Sequence, residues 1–356
     1  MKTRFYYILS IALLITSTNA FTQPGKSSKK PKNIILIVGD GTGLSQVSAA
    51  QFFKEGSSNY DRFPVVGLIK TSSSSDLITD SAASATAFAC GIKTYNGAIG
   101  VTPDSIPVPN LIEIFSNKGF NTGIVVTSTI THATPACFYA HVDNRNNHNQ
   151  IASFLPISEV DFFAGAGLQY FKKPYNDINL LQRFKDNGFT IDTTSLKEYS
   201  NVQKIGFLLA KESMPTMLEG RGNYLQEASI LAVKRLKNEN GFFLMVEGSQ
   251  VDWGGHDNDA PYLIAELIDL DDTIGILLDF AQKDGETLVI VTADHETGGF
   301  TLAAKNDDYN TIVPTFSTKN HSATMVPVFA FGPGAESFGG IYENTEIFHK
   351  IIRLLR

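Results

Sequence analysis

Asp80 and Ser81 stand directly before an alanine-rich run, Ala82-Ala83-Ser84-Ala85-Thr86-Ala87. Alanine has the best helix propensity, whereas aspartate and serine prefer the cap, so a helix is expected to open at Asp80 or Ser81. A serine hydroxyl there faces unpaired backbone N–H groups and the positive end of the helix dipole. That setting attracts phosphate and favours an ionised serine oxygen, as a nucleophile attacking phosphorus requires. Taken alone, the same serine is better read as an ordinary N-cap, so the chemical reading depends on residues elsewhere in the chain.

Four apolar runs end in residue types that bind metals. Asn33–Val38 leads into Gly39-Asp40-Gly41, and Phe242–Val246 into Glu247-Gly248. Leu288–Ala293 leads into Asp294-His295-Glu296, and Thr122–Val126 into a Ser/Thr cluster containing His132. Continuous β-branched and aromatic runs fit strands buried on both faces, which is the pattern of a parallel sheet covered by helices. Ligands of open α/β sheets bind outside the carboxyl ends of the strands, so these polar groups are expected to converge on one site.

The segment Glu247–His256 adds more donors: Asp252 lies five residues after Glu247, and His256 four residues further on. With Asp40, Asp294, His295 and the isolated His321, the chain has enough carboxylates and imidazoles for more than one metal ion. Imidazole with carboxylate suits zinc, and carboxylate with hydroxyl and water suits magnesium.

The stretch Thr79–Ala87, followed by Gly91-Ile92-Lys93-Thr94-Tyr95-Asn96-Gly97, resembles the nucleophile signature of alkaline phosphatases. The resemblance continues through Asp40-Gly41, His132-Ala133-Thr134-Pro135, Asn144-Arg145, Glu247–His256, Thr292–His295 and Asn320-His321-Ser322, in the family's order from about residue 33 to 334. It is strongest toward the compact bacterial members, cold-adapted ones included. It implies a three-layer α/β/α sandwich with a central, mostly parallel sheet, and hydrolysis of phosphate monoesters through a phosphoserine on Ser81, with Arg145 as phosphate clamp. It further implies two zinc ions and one magnesium ion per subunit. Asp252, His256 and His321 would hold one zinc, and Asp40, Asp294 and His295 the other. Asp40 would also bridge to a magnesium held by Thr134 and Glu247. A homodimer is a further implication.

The chemistry asked of these residues is consistent. A phosphate monoester dianion repels anionic nucleophiles and has a loose transition state, so catalysis must come from positioning and charge neutralisation. Divalent cations and the planar fork of an arginine meet that need. Two positions depart from the best-known enterobacterial pattern: His132 stands where those members carry aspartate, and Trp253 where they carry lysine. Both are read as neighbours of the third site rather than ligands, and they leave open whether magnesium or zinc occupies it.

The start of the chain reads as an export signal. Met1-Lys2-Thr3-Arg4 is basic, Phe5–Ile15 is apolar apart from one serine, and Thr18-Asn19-Ala20 offers small residues for cleavage. The apolar run is too short to span a bilayer, no later run reaches ~18 apolar residues, and no cysteine follows the cleavage site. A periplasmic or secreted protein without a membrane anchor is expected. Loss of Lys2 and Arg4 takes the formal charge from −7 to −9, which argues against a nucleic-acid partner and still allows the small phosphate monoesters that the resemblance implies as substrates. Cys90 and Cys137 lie among alanine and phenylalanine and are expected as reduced, buried thiols.

The ligand motifs are interleaved from Asp40 to His321, so residues 21–356 are read as one catalytic domain. Residues 153–222 lack the rhythm of strand and ligand and are read as an insertion at the rim. Leu263, Leu267, Leu270, Ile274 and Leu277 form a helical stripe expected to pack in the core. Gly39-Asp40-Gly41-Thr42-Gly43 is not a dinucleotide loop, because Leu44 stands at its third glycine position and Asp40 where pyrophosphate would sit. His141 and His349 are read as structural or surface histidines, His148 as part of an Asn-rich turn, and Ser72–Ser75 as a solvated loop. A phosphodiesterase of the same superfamily and a noncatalytic phosphate- or metal-binding relative remain as alternatives. A sulfatase is disfavoured because Ser81 is followed by Ala-Ala-Ser instead of the Pro-x-Arg context its cofactor needs.

Overall fold

The computed structural model describes residues 30–355, so the export signal and its cleavage site lie outside the described residues. In chain order the strands are β1 (Asn33–Gly39), β2 (Val65–Lys70), β3 (Asn121–Thr129), β4 (Phe162–Ala166), β5 (Phe189–Asp192), β6 (Lys204–Leu208) and β7 (Phe242–Gly248). They continue as β8 (Thr287–Thr292), β9 (Glu296–Thr297), β10 (Thr301–Lys305), β11 (Asp308–Thr315), β12 (His321–Ser322), β13 (Val326–Phe331) and β14 (Gly340–Glu343).

Ten of them form one sheet in the order β14-β2-β13-β8-β1-β7-β3-β4-β6-β5. Only β13 runs against the rest, pairing antiparallel with β8 and β2. The four apolar runs marked in the sequence are β1, β3, β7 and β8, which lie side by side at the centre. Their residues alternate between two cores. Ile34, Leu36 and Val38 of β1, with Phe243 and Met245 of β7, face one layer, and Ile35, Ile37, Phe242, Leu244 and Val246 face the other. Period-two alternation with both faces apolar is why these strands read as unbroken hydrophobic runs.

Helices cover both faces. The first core takes Ala82, Ala85, Phe88 and Ala89 from the helix Ser81–Cys90, and Ile347 and Ile351 from Glu346–Leu354. The second takes Leu225, Ala228, Ala232 and Leu236 from Tyr224–Leu236, and Leu270, Ile274 and Leu277 from the long helix Ala260–Asp284. The stripe expected in that last helix packs as read, although Leu263 and Leu267 belong to a smaller cluster with Val251 and Phe300. The protein is thus an α/β/α sandwich. Cys90 and Cys137 are free and buried.

The segment 153–222 departs from the reading of a rim insertion. It supplies β4, β6 and β5, which extend the parallel sheet to one edge. These strands are only four or five residues long, and glycine interrupts β4 and β6, so they lack a continuous apolar run. Gly206 is needed for packing: a Cβ there would lie 2.1 Å from the Phe163 ring. Among the described residues no helix is long and apolar enough to cross a membrane.

Candidate active site and metal centre

Asp80 is the N-cap of the helix Ser81–Cys90, its Oδ1 accepting from Ala83 N at 3.0 Å. Its other oxygen accepts from Gly97 N at 3.0 Å and from Arg145 Nη1 at 2.8 Å. The cap carboxylate therefore also orients the arginine. Burial works against ionisation of Asp80, but the Arg145 charge and the backbone donors hold its carboxyl below the usual range. Ser81 is buried at the first helical position, with Oγ 3.2 Å from Nε2 of His295. Ser84 Oγ, one turn on, donates to the Asp294 carbonyl at 2.8 Å and ties the helix to the end of β8.

The expected donors gather around this hydroxyl. Asp40 follows β1, Glu247 lies near the end of β7, and Asp294 and His295 follow β8. His132 and Thr134 follow β3, Thr134 within the short helix Ala133–Ala136. Asp252 and His256 lie one turn apart on the helix Gln250–Asp257, and His321 lies on β12, paired with β9. His295 Nε2 is 3.2 Å from Asp294 Oδ2 and 3.6 Å from Asp40 Oδ1. His256 Nε2 is 3.4 Å from Asp252 Oδ2. Arg145 feels the charges of Asp40 and Asp252 as well as Asp80, and its affinity for its proton rises despite burial.

Three overlapping donor groups result, each with its ligand atoms within 4.8 Å of one another: Asp252, His256 and His321; Asp40, Asp252 and His295; and Asp40, His132 and Glu247. Two features differ from the sequence reading. Asp252 reaches toward the group around His295 as well as its own, and His132, read as a neighbour, lies inside the third donor group. The His132 ring also meets Trp253 edge-on at 6.0 Å.

These donors fit divalent cations. Both carboxylate oxygens of Asp40, Oε1 of Glu247, Oδ2 of Asp294, Oγ1 of Thr134 and Nδ1 of His132 are buried without a hydrogen-bond partner. Buried polar atoms are nearly always paired, so six such atoms in one place suit coordination of a cation. The electrostatics agree. Burial, then the Asp294, Asp252 and Glu247 charges, raise Asp40 well above the carboxylate range, and burial pushes Glu247 up to about 7. Burial, then the Arg145 charge, pushes His132 down to about 3, and burial, then the neighbouring His321, depresses His295 as well. A cluster that holds neutral imidazoles and resists holding several bare carboxylates is stabilised by positive charge in its middle.

Supporting residues escaped the sequence reading. Ser249 and Ser128 donate to Glu247 Oε2, and Thr297 Oγ1 donates to Asp252 Oδ1 while standing 3.2 Å from His295 Nδ1. Gly41 adopts φ +72, and a Cβ there would lie 2.7 Å from Asp252 Cα. Only adjacency to a ligand could have flagged Ser249 and Thr297. His141 and His148 do not join the donor cluster.

The alkaline phosphatase family model matches residues 31–313. The chain belongs to the alkaline phosphatase family. Alkaline phosphatase 4 of Bacillus subtilis is 31% identical over 453 aligned positions, spanning 100% of this chain and 97% of the relative. The solved alkaline phosphatase of the Antarctic bacterium TAB5 is 57% identical, with a TM-score of 0.90 over 92% of this chain and 98% of that one. A His-to-Asp mutant of the TAB5 enzyme, 56% identical with a TM-score of 0.89 over 91% and 98% of the two chains, was solved with magnesium bound in its M3 site. This phosphatase therefore shares both fold and family with metal-dependent enzymes.

Proposed function

We propose that this phosphatase hydrolyses small phosphate monoesters to alcohol and inorganic phosphate through a phosphoserine on Ser81. The observation that carries the reading is the Ser81 hydroxyl, held at a helix N-terminus 3.2 Å from His295 Nε2 and beside the orphaned carboxylates of Asp40 and Asp294. Asp252, His256 and His321 would hold one zinc, Asp40, Asp294 and His295 a second, and Asp40, Thr134 and Glu247 a third ion, magnesium in the family pattern. Divalent ions bound there supply the positive charge that lowers the serine pKa and neutralises the phosphoryl group and the departing alkoxide.

The chain's own residues do the rest. Arg145, oriented by Asp80, grips two non-bridging oxygens and aligns phosphorus with Ser81 Oγ. The serine oxygen forms its bond to phosphorus as the bond to the alcohol oxygen breaks. Water then attacks the phosphoserine from the vacated side, releasing phosphate and regenerating the hydroxyl. The backbone N–H groups at the start of the helix Ser81–Cys90 favour negative charge on Ser81 Oγ, both as it attacks and as it leaves.

His132 bears on the third ion. An imaginary aspartate there would add a hard oxygen donor, whereas an imidazole favours zinc over magnesium. The magnesium in the TAB5 His-to-Asp mutant supports this reading. Export with cleavage near Ala20 rests on the basic start and the short apolar run, and a homodimer rests on the family; N-terminal sequencing and light scattering check them. The function is tested by release of a chromogenic phenol from its monoester and from its diester, together with acid trapping of labelled phosphate on the protein. A faster diester reaction, or full activity in Ser81→Ala, would overturn the proposal.

A further inference from the structure

Two cavities open beside the catalytic centre that the reaction at phosphorus does not use. One, about 460 Å³, is lined by His132 and Trp253 on the side of the metal centre, and by Gln169, Tyr170, His148 and Glu212 further out. The second, about 370 Å³, is lined by Asn146, Asn147, Asn149, Gln150 and Tyr175. His148 and Tyr170 line both, so their stacked pair is a wall that the two cavities share. The first borders the candidate metal centre at His132, and the second borders the loop that follows Arg145, the residue assigned to the phosphate.

The lining has a definite chemistry. His148 stacks on Tyr170 with ring centroids 4.7 Å apart and planes at 20°, and Thr131 anchors His148 Nδ1 at 3.1 Å. Trp253 presents a second aromatic surface, and Tyr175 a third. Between them lie primary amides, each offering both donor and acceptor. No lysine or arginine lines either cavity, and Glu212 is a lining carboxylate. A leaving group carrying further phosphates would meet no lysine or arginine among the lining residues, and the one lining carboxylate, Glu212, already pairs with Lys211 at 3.1 Å. A flat, uncharged group with hydrogen-bonding edges finds aromatic faces to stack on and amides to pair with. The size suits such an occupant, since small-molecule pockets run ~300–1,000 Å³.

We infer that the two cavities flanking this aromatic pair are a leaving-group subsite for nucleosides, so that nucleoside monophosphates are preferred substrates, with Tyr170 and His148 as the stacking platform and the Asn146–Gln150 amides reading the base edge. The inference rests on the monoesterase reading above and names its substrate class. Stacking on one aromatic residue accounts for ~1–3 kcal/mol per base, so loss of the platform costs about tenfold in kcat/KM, the equivalent of about 1.4 kcal/mol.

The test compares kcat/KM of the metal-loaded enzyme for adenosine 5′-monophosphate, glucose 6-phosphate and ethyl phosphate, in the unaltered protein and in Tyr170→Ala, Tyr170→Phe and Asn149→Ala. Adenosine inhibition of ethyl phosphate hydrolysis is measured alongside. The expected result is a preference for the nucleotide that falls about tenfold in Tyr170→Ala, persists in Tyr170→Phe and weakens in Asn149→Ala, with ethyl phosphate turnover unchanged and adenosine inhibition lost in parallel. Equal losses for all three substrates, a preference for the sugar phosphate, or no preference in the unaltered enzyme would overturn the subsite. Any of these results leaves monoesterase activity intact, whereas failure of the monoesterase reading would appear as absent ethyl phosphate turnover or as full activity in Ser81→Ala.

Discussion

His256 and His321 point Nε2 at Nε2 across 3.1 Å, while the Nδ1 of each ring is committed to a backbone carbonyl, Lys319 O at 2.6 Å and Thr79 O at 2.9 Å. Each Nδ1 must donate its proton to its carbonyl, so in the neutral rings both Nε2 atoms present lone pairs to each other and to Asp252. A divalent cation bound between them would satisfy both lone pairs and the carboxylate at once. Chelation is therefore expected to lower the melting temperature by several degrees, since ligand held at 100 times its dissociation constant contributes ~2.7 kcal/mol per site. His321→Ala is expected to lose one equivalent of metal by mass spectrometry and to show a smaller chelator effect. An unchanged metal count would contradict the assignment.

Arg145 and Asp80 act as a pair. Arg145→Lys keeps the charge but loses the fork, and a charge-assisted hydrogen bond contributes ~1.5–3 kcal/mol, so kcat/KM should fall about 10- to 100-fold. Asp80→Asn should produce a smaller loss, because it keeps a cap oxygen for Ala83 N but removes the charged acceptor shared by Arg145 and Gly97 N. A lysine variant that retained full efficiency would show that the arginine is structural.

His132→Asp replaces a soft donor by a hard one in the group with Asp40 and Glu247. Magnesium dependence of activity should sharpen, with a lower half-saturating magnesium concentration than in the unaltered enzyme. Titration of metal-depleted protein with magnesium, read by activity and by calorimetry, decides it.

The His141–Glu113 pair gives a pH signature away from the metals. His141 Nε2 lies 3.2 Å from Glu113 Oε1, and its Nδ1 lies 2.7 Å from Gly100 O. Burial works against the imidazolium, but the Glu113 contact and the carbonyl raise its pKa above the ordinary value, while burial of Glu113 is outweighed by His141 and the Asn110 N–H, which lower its pKa. The raised histidine contributes stability fully below its unfolded pKa of ~6.5 and loses it as pH rises through the folded value. The lowered glutamate contributes above its unfolded pKa of ~4.3 and loses it as pH falls through the folded value. The coupling is thus greatest near pH 5–6 and absent at alkaline pH. Glu113 is about a third exposed, so solvent screening keeps the effect below about 1 kcal/mol. Glu113→Gln, which keeps an acceptor for Asn110 N, should lower the melting temperature at pH 5.5 and hardly at pH 9.

The central sheet and most of the site could be read from the sequence because they depend on local pattern. β1, β3, β7 and β8 are buried on both faces, so burial wrote itself as unbroken apolar runs, and the rule that ligands gather at strand ends pointed to Asp40, Glu247, Asp294 and His295. Asp252, His256 and His321 were legible through the resemblance to alkaline phosphatases, and Ser81 from the capping chemistry of its neighbours. The strands β4, β6 and β5 toward one edge were not, because strands of four or five residues, two of them containing glycine, carry too little periodicity and are defined by partners far away in the chain. Tertiary structure alone decided that His132 enters the third donor group, that Asp252 reaches two groups, and that Thr297 and Ser249 hold the ligands. It also brought Tyr170 and His148 together beside the metal centre. Each of those facts is a distance between groups that no local pattern encodes, fixed only when the two cores pack against opposite faces of the sheet.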